Sequence, residues 1–291
     1  MKSTVLRVLA GAGLAASVQA GLAAQGDIPG LRGTIVELQA VADSGSYLRY
    51  DYIVSNPGTS SWSVAQLGMD LTAPRGTGRK ALSATGRFRH DLATGGRVPV
   101  IDHVPAGPIS PPNWQAWLFN SGILAWLGTR GGLHARDSIA PGTSLSGFGI
   151  RSSYLPGIRS VWVEPTWQDC CSQPRGPEDV HPSPTEFRVA GLTVGPSLHP
   201  DSVSIQVLQA FHARTCTELR WISDAGVCAS LGGRLDRARQ GLTQADRTGA
   251  RAELRSFLSE LEAQHGVGRP VTDNAYWLLK VNAEFVLGRL K

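Results

Sequence analysis

The sequence predicts an α+β chain in two segregated domains, an N-terminal antiparallel β-sandwich of immunoglobulin-like or jelly-roll-like kind followed by a small C-terminal α-helical bundle. Three observations carry this expectation. From residue 28 to about 196 the chain shows short runs of period two, punctuated by Gly, Pro, Ser and Asn. Beyond His199-Pro200-Asp201 the apolar residues recur at i, i+3 and i+4 instead. The two periods belong to strands half-buried on a sheet and to helices with one apolar stripe, and the proline-bearing residues 196–200 separate them. The expected boundaries are therefore 1–24 for a leader, 25–200 for the β-domain and 201–291 for the bundle.

Residues 1–24 read as a cleavable signal peptide. Lys2 and Arg7 form a basic start, residues 8–18 an apolar run, and Val-Gln-Ala or Leu-Ala-Ala a small-residue cleavage site after Ala20 or Ala24. The run is shorter than the roughly 20 residues a membrane-spanning helix requires. A secreted or periplasmic location is expected, with no membrane span after cleavage.

In the β-domain, residues 34–38 alternate, and residues 47–54 alternate more clearly before Asn56-Pro57-Gly58 turns the chain. Residues 64–71, 123–127, 146–150, 160–164 and 187–194 supply five further strand candidates. Short strands with turn residues between them and hardly a helical pattern indicate a sandwich. Residues 73–96, polar and holding Arg75-Gly76-Thr77-Gly78-Arg79-Lys80, read as an elongated surface loop.

In the bundle, Ser202 is a candidate cap for a helix presenting Val203, Val207, Leu208 and Phe211. A second helix starts near Cys228 with Leu231, Leu235, Ala238 and Leu242, and a third near Thr248 with Leu254, Phe257, Leu258 and Leu261. A fourth opens at Thr272 or Asp273 and carries Ala275, Leu278, Leu279, Asn282, Phe285 and Val286. Four such stripes close a small bundle.

Leu231-(x)3-Leu235-(x)2-Ala238, the run from Ala252 to Leu258 leading into Glu262-Ala263-Gln264, and Ala275-(x)2-Leu278 give residues 229–287 a pattern that resembles the helical FIMAH-type module. Leu145-Ser146-Gly147-Phe148 after Pro141-Gly142, with Leu155-Pro156-Gly157-Ile158, is similar to a strand-and-turn signature of uncharacterised exported β-sandwich proteins from soil bacteria. The resemblances imply architecture and export, with no chemistry attached. The chain departs from the FIMAH pattern in its Cys216 to Cys228 segment and its Tyr276-Trp277 tail.

The formal charge of +5 is not a nucleic-acid footprint. Residues 25–201 hold 14 basic and 14 acidic side chains, residues 202–291 hold 12 and 9, and the arginines are scattered singly among acids. A phosphate-tracking surface needs them clustered on one face. The four cysteines suit an oxidising compartment. Cys216 and Cys228 are expected to form a disulfide whose short loop contributes about 3 kcal/mol. The adjacent Cys170 and Cys171 are left between a vicinal bridge, two thiols and bonds to other segments.

Candidate chemistry is sparse. Gly142-Thr143-Ser144-Leu145-Ser146-Gly147 lacks the Gly-x-Ser-x-Gly spacing of a nucleophile elbow and reads as a turn entering a strand. Residues 167–181 gather Asp169, Cys170, Cys171, Glu178 and His181, the densest polar cluster of the chain. Metal binding needs at least three convergent ligands, and adjacent cysteines serve one tetrahedral ion poorly, so no metal and no cofactor are expected. Trp62, Trp114 and Trp117, flanked by Asn, Gln, Ser and Pro, are expected at the surface, where an indole stacks on a sugar face, and Trp114 and Trp117 in Pro-Pro-Asn-Trp-Gln-Ala-Trp are the binding candidates among them. The expected function is an exported, non-catalytic binding or surface-assembly protein whose partner is an extracellular glycan or an envelope protein, with Trp114, Trp117, Asp169, Glu178 and His181 as binding candidates. The alternatives are a secreted hydrolase with its site in residues 167–181 and a purely structural envelope component.

Overall fold

A computed structural model of the protein describes residues 29–43, 47–72, 107–119, 122–129, 137–171 and 184–290, and the backbone of 88–90 and 97–99. The expected signal peptide, Glu178 and His181 lie outside these residues. In chain order the strands are β1 (Ile35–Asp43), β2 (Leu48–Asn56), β3 (Val64–Asp70), β4 (Phe88–His90), β5 (Arg97–Pro99), β6 (Gly107–Ile109), β7 (Trp114–Leu118), β8 (Ile123–Gly128), β9 (Thr143–Ser152), β10 (Leu155–Pro165) and β11 (Val189–Leu198). The helices are α1 (Trp167–Cys170), α2 (Ile205–Thr217), α3 (Ala225–Thr243), α4 (Arg247–Ala263) and α5 (Asp273–Arg289).

The strands form two antiparallel sheets, one of four in the order β1-β2-β9-β6 and one of five in the order β11-β10-β3-β8-β7. A small ribbon, β4 with β5, stands in and just after the stretch expected as loop. The chain is thus α+β, with strands first and helices after. Alternation decides which residues the sheets bury. Tyr50, Tyr52 and Val54 of β2 are fully buried and their neighbours are half-exposed. Residues of both sheets join one apolar cluster, where Phe148 of β9 meets Trp114 of β7 and Trp126 of β8 edge-on at 5.0 and 5.9 Å. Aromatic pairs in this geometry contribute beyond their buried area.

The helical stripes fall where the periodicity places them. Leu231, Leu235 and Ala238 of α3, Leu254, Phe257 and Leu261 of α4, and Ala275, Leu278, Leu279, Asn282 and Val286 of α5 are all buried. Each helix start is fixed by a side-chain cap: Ser204, Asp224, Asp246 and Thr272 accept from Val207, Gly249 and their counterparts three residues on. The cap of α2 is Ser204 rather than Ser202, because Pro200–Ser202 forms a separate 3-10 turn.

Helix α5 packs against β1, β10 and β11. Strands β1 and β11 are edges of the two sheets, and an edge carries backbone groups that need partners. At the register shift between Leu38 and Ala40, the Leu38 amide donates to Asn274 Oδ1 at 3.3 Å, and the Trp277 indole N–H donates to the Gln39 carbonyl at 2.9 Å. The Thr193 hydroxyl of β11 donates to the same Asn274 oxygen at 3.0 Å. One side chain therefore ties both edges to the helix.

Candidate functional site

Trp114 and Trp117 are not surface anchors. Both are buried, at 6% and 7% exposure, because residues 114–118 form strand β7 rather than a turn. Trp114 points inward against Phe148, and Trp117, one face over, points away from the main core. Trp162 of β10 lies on that same outer face. Its register partner is Gly68, followed by Ala125 and then Trp117, so two indoles flank a floor of small residues across four strands. A Cβ on Gly68 would fall 2.1 Å from the Trp162 ring, so only glycine permits the indole to lie flat on β3. The Arg188 guanidinium caps that ring at 4.6 Å and bonds Glu164, buried below it, at 2.6 Å.

Asp169 has a definite task. Its Oδ2 accepts from the Ser63 amide at 2.7 Å, and its own amide donates to Thr166 Oγ1, the cap of α1. The Thr166 amide in turn donates to the Ser63 carbonyl. These bonds clamp α1 to the loop before β3. Cys170 and Cys171 form a vicinal disulfide that closes α1, with Cys171 buried, and Cys216 and Cys228 form the second disulfide. On the other side of that loop the Ser61 and Trp62 amides share the Gly30 carbonyl, while the Asn56 side chain donates to the Trp62 carbonyl. Trp62, half-exposed, meets Phe187 of the 3-10 turn Pro184–Phe187 edge-on at 5.3 Å. The result is a corner that gathers Trp62, Phe187, Arg188 and Trp162 beside the vicinal disulfide.

No protein-family model matches this chain, and no curated protein matches it.

A second cluster lies where α5 meets β1. His265 Nε2 lies 2.5 Å from Asp273 Oδ1, and its ring stacks on Tyr276 with centroids 3.8 Å apart. The Lys280 ammonium donates to the Tyr276 hydroxyl at 2.8 Å, sits over the Tyr276 and Trp277 rings, and approaches Glu262 at 3.5 Å. Burial, then the neighbouring Asp273, raises Glu37 of β1 above its ordinary value, with His265 opposing. Burial also raises Glu284, with Lys280 opposing and Glu262 adding. The signal available in sequence was Tyr276 and Lys280 four apart on one helix face; Glu37 is 228 residues from His265, and nothing local connects them.

This seam has a pH signature. A carboxyl group whose folded-state pKa lies above its unfolded one favours folding as the neutral acid, and that contribution is lost as pH rises through the raised value. At neutral pH Glu37 and Glu284 therefore oppose the fold. Glu37→Gln is expected to raise the unfolding temperature at pH 7, with the gain over the native chain shrinking to nothing below the ordinary value of 4.5. Thermal melts across that range check it, and a gain that persists at low pH would assign the effect to packing.

Proposed function

We propose that the protein is exported and acts as a non-catalytic binding protein: a β-sandwich ligand module with a helical accessory module docked on its edge strands. The observation that carries the binding role is the corner of Trp62 and Phe187, half-exposed and in edge-to-face contact, held by two loops and a vicinal disulfide. Aromatic faces fixed on a rigid frame bind planar or sugar surfaces with little ordering entropy to lose. Arg188, ion-paired to the buried Glu164, supplies a polar group beside them. The ligand class this chemistry fits is an extracellular glycan. Asp169 is committed to holding α1 in place, which favours binding over a hydrolytic role for this loop. The basic, apolar and small-residue order of residues 1–24 and the two disulfides support export; among the described residues no helix is long and apolar enough to cross a membrane.

The test is a glycan panel screened with the mature chain, followed by titration of any ligand against variants. Trp62→Ala and Phe187→Ala are each expected to weaken binding by about 30-fold, the equivalent of the roughly 2 kcal/mol typical of an aromatic anchor. Arg188→Ala, at the rim, has a smaller effect. Thermal melts of the same variants separate lost binding from lost fold. A panel with no ligand, or variants that stay folded and bind as the native chain does, would remove the proposal. Deleting residues 1–24 is expected to leave the protein in the cytoplasm, read by cell fractionation.

A further inference from the structure

A second corner of the molecule holds three soft or borderline ligand atoms in one place. His212 and Cys216 stand four apart on one face of α2, and Cys228 is in the first turns of α3. His212 Nε2 lies 3.5 Å from Cys216 Sγ, and the ligand atoms of all three residues lie within 4.8 Å of one another. The His212 ring packs against Gly232 of α3. A Cβ there would sit 3.0 Å from the His212 ring.

The disulfide accounts for Cys216 meeting Cys228, but not for an imidazole nitrogen beside the sulfurs. We propose that Cys216, Cys228 and His212 form a redox-gated metal site: oxidised, the disulfide excludes the ion; reduced, two thiolates and one imidazole bind a borderline divalent ion such as zinc, with the fourth position open to solvent. The steps balance. A dithiol gives two electrons and two protons to the Cys216–Cys228 bond, becoming a disulfide itself while both cysteines become thiols. The ion then displaces one proton from each thiol as it forms two metal–sulfur bonds and one metal–nitrogen bond. Two thiolates on one tetrahedral ion sit about 3.8 Å apart, given metal–sulfur distances near 2.3 Å.

The experiment uses the mature chain with Cys170→Ser and Cys171→Ser, so that the vicinal pair contributes no thiols. After reduction by a phosphine, cobalt(II) is titrated in and then competed with zinc. One equivalent of cobalt is expected to give a thiolate-to-metal charge-transfer band and tetrahedral ligand-field bands, both erased by zinc and both missing from the oxidised protein. His212→Ala is expected to weaken cobalt binding by at least roughly tenfold, since even second-shell partners contribute that much. Far-UV circular dichroism is followed throughout. A reduced chain that loses helix and regains it on adding zinc supports the site; one that zinc does not restore overturns it. Absence of the bands in folded reduced protein, or unchanged affinity in His212→Ala, also overturns it.

Discussion

Phe148→Ala is expected to lower the unfolding free energy by about 3–5 kcal/mol, the range for truncating a fully buried aromatic. Phe148 has no exposed surface and joins the two sheets, touching Trp114 and Trp126 edge-on. Its loss leaves a cavity between sheets that cannot close without moving whole strands. Phe148→Leu, which keeps most of the volume, should lose much less. Denaturant melts with an unchanged m-value check both. A loss below about 1 kcal/mol in Phe148→Ala would mean that the sheets are not held by this contact.

Asn274→Ala is the second large effect, and it tests the docking of the helices. Both donors that converge on Asn274 Oδ1, the Leu38 amide and the Thr193 hydroxyl, belong to fully buried residues. A buried donor left without a partner costs about 1–3 kcal/mol, so the pair costs about 2–6 kcal/mol. Hydrogen exchange at the Leu38 amide should accelerate. Removing one orphan with it, as Thr193→Val with Asn274→Ala, should destabilise by less than the sum of the single changes. Additive effects would show that the two groups do not share the bond.

The runs of β1 and β2 were legible because buried residues alternate with half-exposed ones; β3, β8, β9, β10 and β11 were legible as short runs between turn residues, although successive residues in their middles are buried. β7 was not. Gln115 is its only clearly polar residue, and Trp117 is buried on the outer face as Trp114 is on the inner. A strand buried on both faces loses its alternation, and the preceding Pro-Pro-Asn then reads as a turn. That is why both tryptophans were expected at the surface; of the three indoles expected there, Trp62 alone keeps partial exposure, beside Phe187. The residues 196–200 that mark the change of period also proved to be partly sheet, since Pro196 pairs with Pro156 and β11 runs to Leu198. A proline at a sheet edge is compatible with pairing on one side.

What the sequence determined by itself is local: the switch from period two to the helical period, the four apolar stripes, and a Cys216–Cys228 spacing that a short loop can close. These depend on neighbours within a turn or a strand, and such neighbours are written side by side. The tertiary structure alone decided what meets across the fold: that α5 satisfies the edges of β1 and β11 through Asn274, that Glu37 lies beside Asp273 and His265, that Cys170 bonds its neighbour, and that Gly232 makes room for His212. The physical reason is separation. Packing energy depends on contacts between residues tens to hundreds of positions apart, and no local pattern records which of several equally apolar or polar partners each one finds.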